Sequence, residues 1–326
     1  MHHFNATSIL ARLLIAAALL LMLHGPASAQ AHAGAITLVV GFPAGGTADL
    51  GARILAEKLS PLLGQPVIVD NRAGAGGQIA ARHVKGAKPD GSVLFFTNGH
   101  TVVTVPQVLK SAGFDTATDL RPVAQVADFE LALVAHPASG AKSLRDLMAH
   151  FARTPTARLI AVPAPGSTPE FIVGRMAQLL EADVQPVPYR GAAPAVQDLL
   201  GGQVVAAVLP VGDVLPYQKA GRITALAVTH PTPLLPGVQA FGDLGLPELA
   251  ASDFLAVYAP AGMNDANVQR YNDAIRQVLA MPAVIEKIRA HGLQPRSGTP
   301  EQMDARYRES AAQVRQLIAA VGYKPQ

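Results

Sequence analysis

The sequence predicts an α/β fold in two domains, with the second inserted in the first and two crossover strands between them. Three observations carry this expectation. Short apolar runs rich in β-branched residues alternate with amphipathic stretches from Ile36 onward, the rhythm of strand, loop and helix. The length of 326 residues suits two such domains better than one. The phrase LALVAHP (Leu131–Pro137) returns as FLAVYAP (Phe254–Pro260), and strands bracketing an inserted segment would carry the chain between domains. The expected division is residues 34–136 with 257–326 for the first domain and 137–256 for the second.

Half the residues are hydrophobic and 15% are charged, which leaves ample core and no sign of general disorder. The formal charge is +3 without a dense Lys/Arg run or basic-aromatic interleaving, so no nucleic-acid partner is expected. The chain has no Cys, which excludes disulfides and lipid attachment through a cysteine. At the start, Arg12, the apolar run Leu13–Leu23 and the Ala27-Ser28-Ala29 triplet read as a secretory signal peptide, residues 1–29. Cleavage is expected after Ala29, with Ala33 as the alternative, leaving an exported protein.

Ile36–Val40 reads as a strand buried on both faces. It runs into Phe42-Pro43-Ala44-Gly45-Gly46 and then a helix N-capped by Thr47, with Leu50, Ile54, Leu55, Leu59 and Leu62 on one stripe before Gly64. Strand, glycine pair and helix N-terminus present unpaired N–H groups and a positive dipole end to an anion. The same loop also fits a plain tight connection. Asp49, in the first turn, either complements the dipole and braces the loop or bonds a ligand. Gln65–Asp70 is the second strand; the glycine-rich loop Asn71–Gly77 after it lacks the GxGxxG spacing of a dinucleotide site. Ser92–Phe96 is a third strand ending in Thr97, Asn98, Gly99 and His100, polar groups at a carboxyl end where open α/β sheets bind ligands.

Later, Ser143-Leu144-Arg145-Asp146 resembles a capping box for a helix to Arg153, and Arg158–Val162 is a strand. Ala164-Pro165-Gly166-Ser167 forms a loop, and Ser167 with Glu170 reads as a capping box over the following helix. Val184–Pro188 is a strand, then Tyr189-Arg190-Gly191 leads to a helix with Pro194 in its first turn and Gly201-Gly202 at its end. Val204–Leu209 and Ile223–Thr229 are strands. Helices follow at 265–279 and 282–291, and Thr299–Gln302 caps the last one.

No phosphate-loop, zinc-protease or serine-hydrolase motif occurs, and no constellation of nucleophile, base and orienter emerges. No cofactor or metal is implied, and nothing demands an enzyme. Arg72 and Arg190 beside glycine loops read either as carboxylate partners or as salt-bridge residues.

Several phrases, in order, carry a resemblance: VVGFPAGGTAD (Val39–Asp49), LGQPVIVDNRAGAGG (Leu63–Gly77), KPDG (Lys88–Gly91), VPYRGAAPAVQDLLGGQV (Val187–Val204), AGRITALAVT (Ala220–Thr229), LAVYAPAG (Leu255–Gly262) and the terminal GTPEQM helix. The chain resembles the Bug/TctC family, the extracytoplasmic solute-binding proteins of tripartite tricarboxylate transporters. The resemblance implies a two-domain, class II Venus-flytrap fold in the periplasm. It implies a small organic acid enclosed between domains, held largely by main-chain groups of the first βα loop and a facing loop, and membrane permease subunits as partners of a monomer. On that basis the ligand-contact candidates are Phe42, Ala44, Gly45, Gly46 and Asp49, then Thr97, Asn98 and His100, and on the second domain Ala164, Gly166, Ser167, Thr168, Tyr189 and Gly191. Two positions depart from the family pattern. Glu170 stands where a His is common, and Leu209 where an Asp is frequent. If Glu170 faced the cleft, a neutral or amino-bearing acid would be preferred over a dicarboxylate. A ligand sensor for a membrane kinase, or an exported enzyme using His100 or Asp49, are the alternative readings.

Overall fold

The computed structural model describes residues 34–155 and 158–325, so the expected signal peptide lies outside the described residues. Among the described residues, eleven strands appear in chain order: β1 (Ile36–Val40), β2 (Val67–Asn71), β3 (Val93–Asn98), β4 (Leu120–Phe129), β5 (Leu131–Ala135), β6 (Leu159–Val162), β7 (Gln185–Pro188), β8 (Ala206–Pro210), β9 (Thr224–Val228), β10 (Asp253–Pro260) and β11 (Leu293–Pro295). They form two sheets. The first has the order β11-β4-β10-β3-β1-β2 and the second β7-β6-β8-β5-β9.

In the first sheet β1 pairs parallel with both β2 and β3, the product of two βα units. β10 returns antiparallel between β3 and β4, with Leu255 opposite Asn98. The central strands are buried on both faces, as their unbroken apolar runs require. In the second sheet β6 is parallel to β7 and β8, while β5 is antiparallel to β8 and β9.

Among the described residues, nine helices of eight residues or more surround the sheets: α1 (Thr47–Leu63), α2 (Gln78–Lys85), α3 (Leu144–Arg153), α4 (Thr168–Leu179), α5 (Ala192–Leu200), α6 (Val211–Lys219), α7 (Asp265–Leu279), α8 (Pro282–Ala290) and α9 (Pro300–Val321). Ala52, Leu55 and Leu59 bury the inner face of α1, and Gly64 in the left-handed region ends it. A Cβ on Gly51 would lie 2.9 Å from the Phe96 ring, so the glycine sets how closely α1 approaches β3. The capping box on α9 is present, with Thr299 and Gln302 exchanging bonds.

The chain leaves the first sheet through Glu130 alone, between β4 and β5, and returns across the residues after β9 to enter β10. The two repeated phrases, Leu131–Pro137 and Phe254–Pro260, therefore each begin a strand just past a crossing. From Ala35 on the chain forms one compact body. Helix α9 packs on β4 of the first sheet and on α4 beside the second. Phe171 and Tyr323 meet edge to face there, ring centroids 5.2 Å apart.

Candidate functional site

A cavity of about 150 Å³ opens between the two sheets. Its wall from the first half is built by Phe42, Pro43, Ala44, Gly46, Thr47 and Ala48 after β1, Asn98 at the end of β3 and His100 after it, Phe129 on β4, and Asp253 and Leu255 on β10. The second half supplies Leu131 on β5, Pro163, Ala164, Ser167 and Pro169 after β6, the run Arg190–Pro194 after β7, Pro210 at the end of β8 and Asp213 after it. Most of these groups are apolar, with a few polar atoms set among them, the usual composition of a small-molecule site.

Four helices of the cavity wall begin at it: α1 through Gly46, Thr47 and Ala48, α4 through Ser167, α5 through Ala192 and Ala193, and α6 through Pro210 and Asp213. Each brings orphan N–H groups and the positive end of its dipole. Arg190 is the one lining side chain with a permanent positive charge. It has no ion-pair partner among the described residues.

The two facing loops share a device. Gly45 N–H donates to Asp49 Oδ2 at 2.9 Å, and Gly166 N–H donates to Glu170 Oε2 at 2.6 Å. In each, a carboxylate one turn into the helix reaches back to the glycine of its own loop. Both glycines lie at positive φ, Gly45 at 87° and Gly166 at 61°. Burial pushes the Asp49 carboxyl up, but Arg53, the Gly45 N–H and Asn71 outweigh it and hold it below the usual carboxylate range. Glu170 is raised by burial, against the opposing bonds from Gly166 and Ser167.

Several expectations about local geometry change. Thr47 is the first helical residue and not the cap; Gly46 occupies that place without a side-chain bond. The Thr47 hydroxyl instead donates across the cleft to Asp213 Oδ1 at 2.9 Å. The Ser167–Glu170 box is only half made. Ser167 Oγ accepts from Glu170 N–H at 3.4 Å, while the Glu170 carboxylate takes the Gly166 N–H, because the left-handed turn at Gly166 brings that donor within reach. Glu170 is not on the cavity wall. Arg72 pairs with Asp70 at the surface.

Of the residues singled out in the sequence, Phe42, Ala44, Gly46, Asn98, His100, Ala164, Ser167 and Gly191 are brought together around the cavity. Gly45 and Asp49 stand behind it, bonded to each other. Thr97 is fully buried, and Gly166 packs on Val108. Thr168 lines a separate small crevice beside Gly99 and Asp253. Tyr189 donates its hydroxyl to Asp198 at 2.7 Å. Burial and that carboxylate push the phenol up to about 12.

Asp213 and Asp253 were not singled out, and both face the cavity. Asp213 sits in the first turn of α6. Asp253 Oδ1 accepts the Gly99 and Phe254 N–H groups at 2.8 and 2.7 Å. Removal from water pushes each carboxyl up to about 6 against these bonds. The His100 imidazole is 6% exposed, and neither ring nitrogen has a hydrogen-bond partner. Burial lowers it to about 4, so it is neutral at physiological pH. Among the described residues no cluster of His, Asp and Glu could hold a metal ion. No helix among them is long and apolar enough to cross a membrane.

The fold and this site have known counterparts. The model of the tripartite tricarboxylate transporter family receptor matches residues 51–323. Protein BugT of Bordetella pertussis is 35% identical over 285 residues, covering 85% of this chain and 86% of that one. Among solved structures, R. palustris Rpa4515 with adipate superposes with a TM-score of 0.86 at 29% identity, over 90% of this chain and 99% of that one. MatC from Rhodopseudomonas palustris with bound malate gives 0.81 at 25% identity, over 88% and 99%. These matches make the two-sheet fold that of the periplasmic binding proteins and set the enzyme reading aside, since the family is one of receptors. With its glycine loops facing each other over a ligand-sized cavity, the chain belongs to the tripartite tricarboxylate transporter receptor family, the Bug/TctC solute-binding proteins.

Proposed function

We propose that this protein captures a small organic acid in the periplasm and presents it to the membrane permease of a tripartite tricarboxylate-type transporter. The observation that carries this reading is the convergence of the N-termini of α1, α4 and α5 on one cavity, joined there by Arg190. Helix N-termini bind carboxylates through free N–H groups and the dipole. The relatives solved with adipate and malate support an acid as ligand. In this reading the protein works as an exported monomer, its N-terminal segment removed, and two bodies rotate about the crossings at Glu130 and after β9. Phe42, Ala44, Gly46, Asn98, His100, Ala164, Ser167 and Gly191 contact the ligand, with Gly45, Asp49, Gly166, Thr168 and Tyr189 shaping the loops behind them.

The test is mass spectrometry of ligand carried through native purification, followed by calorimetric titration of the acids found. Retention of a carboxylic acid with saturable one-to-one binding supports capture. Purified protein that binds no carboxylic acid in such titrations overturns it. Loss of uptake of that acid by cells from which the gene for this protein is deleted tests the transport role.

A further inference from the structure

Besides the two crossings, one helix ties the halves together. Most of α9 belongs to the first half. Met303 is fully buried in one cluster with Phe95, Phe254 and Tyr258. Arg306 donates to the Ser252 hydroxyl and lies over the Phe254 ring, and Gln107 Nε2 donates to the Ala311 carbonyl at 3.3 Å. The far end of α9 belongs to the second half. A Cβ on Gly174 of α4 would meet Val321 at 3.6 Å. Gly322, at φ 67°, turns the chain in the left-handed region, and the Tyr323 N–H returns to the Ile318 carbonyl at 3.2 Å. That turn lays the Tyr323 ring on Phe171, early in α4.

The loop before α4 is held by the same contact. A Cβ on Gly166 would stand 2.9 Å from Val108 Cγ2 and 3.5 Å from the Tyr323 hydroxyl oxygen. Gly166 is thus clasped between a first-half side chain and the end of α9. Gln107, next to Val108, is the residue that bonds Ala311, so both jaws are fastened to one helix. The clasped loop carries Ala164, Ser167 and Pro169 of the cavity wall. Burial and the nearby Glu170 carboxylate push the Tyr323 phenol up, in keeping with a ring set beside the Gly166–Glu170 brace.

We propose that the end of α9 is a strap across the cleft and that Tyr323 is a positioning residue for the binding loop. Two crossing segments alone leave the halves free to rotate about them. Arg306 touches Ser252 beside the second crossing, and from there α9 runs about 20 Å to Val321, so its far end restrains that rotation with leverage. The attachment is an aromatic pair with modest packing energy, so it can part when the cleft opens. The strap acts on the site read above as the acid's, and its test uses ligand-free protein, so the two readings fail separately.

Hydrogen exchange tests this in Tyr323→Ala, Tyr323→Phe and Gly174→Leu, the last placing a side chain where Val321 now sits. In Tyr323→Ala and Gly174→Leu the amides between Gly166 and Phe171 should exchange about tenfold faster while those of β1 keep their rate. Scattering should give both a larger radius of gyration than the unaltered protein has. Tyr323→Phe keeps the ring and should match the unaltered protein in both measurements. Thermal unfolding checks that each variant is folded; the two disrupting changes act from opposite sides of the contact, so either one that folds decides. Exchange unchanged between Gly166 and Phe171, or faster by the same factor in β1, would overturn Tyr323 as a positioning residue. An unchanged radius of gyration would overturn the strap. Exchange in Tyr323→Phe as fast as in Tyr323→Ala would overturn the ring contact as its basis.

Discussion

Glu130 and His230 tie together the two segments that carry the chain between the sheets. Glu130 Oε2 lies 3.1 Å from His230 Nδ1 and accepts the Thr229 hydroxyl at 2.6 Å. The bond to Glu130 raises the His230 pKa, against partial burial. A raised histidine contributes stability that is complete below its unfolded value of about 6.5 and fades as pH rises through the folded value. Unfolding midpoints should therefore fall between pH 6 and pH 8 more steeply in the unaltered protein than in His230→Gln. Parallel pH profiles for the two proteins would remove this pair from the hinge's energetics.

Asp213 and Asp253 predict a second pH effect at lower pH. Burial raises each carboxyl from the ordinary aspartate value of 3.8 to about 6. The folded, empty protein holds protons that the unfolded chain has already released, so its stability declines as pH rises from about 4 to about 6. Ionising each group in place costs about 3 kcal/mol. Asp213→Asn should flatten that decline and raise the unfolding midpoint at pH 7, measured on ligand-free protein. A midpoint lowered at pH 7 would contradict the raised carboxyl.

Gly46 offers a separation of binding from folding. Its φ is −84°, and a Cβ there would meet nothing closer than the Pro43 carbonyl at 3.8 Å. Gly46→Val should leave the unfolding temperature of the free protein nearly unchanged while its side chain enters the cavity. Ligand affinity should drop by about 2 kcal/mol, the cost of leaving polar groups unpaired. Equal affinity in the folded variant would take the start of α1 out of the site.

Glu170→Gln and Glu170→Ala should differ. Gln can still accept the Gly166 N–H, whereas Ala leaves that donor without its partner. Gln is expected to be nearly neutral and Ala to cost about 1 kcal/mol in chemical denaturation. Equal losses for both would mean that the charge, and not the bond, is what the loop uses.

A closer contact across the cleft sits at Gly212, at the start of α6, against Gly292 after α8. A Cβ on Gly212 would overlap the His291 carbonyl oxygen, which is backbone and cannot swing aside. Gly212→Ala should force the halves apart, giving a larger radius of gyration by scattering and weaker ligand binding. A scattering profile identical to that of the unaltered protein would show that the contact is not made in solution.

Much of this architecture was legible in the chain. The run Ile36–Val40, the helix closed by Gly64 and the box at Thr299 follow from local rules, and the structure places them where those rules do. β4 was not anticipated. Pro122 breaks its propensity, and its exposure pattern follows no simple alternation because its pairing with β10 shifts register twice. The π-helical turn at His100–Thr104 likewise has no sequence signature. Asp213 and Asp253 escaped notice because each is a lone acid beside an apolar run, with its partner far away in sequence; Thr47 lies 166 positions from Asp213. The one available signal was an acid in the first turn of a helix directly after a fully buried strand, AAVLPVGD, and that pattern is equally common as plain dipole complementation.

The paired braces Gly45–Asp49 and Gly166–Glu170 have a kinetic consequence. Each loop is locked by its own carboxylate before any ligand arrives, so encounter does not wait for either loop to order and little rotamer freedom is surrendered there. The entropy cost of capture then falls on the relative motion of the two halves and on the ligand itself. Association rates should consequently be similar for different acids of one charge, and selectivity among them should be written in how slowly each one leaves.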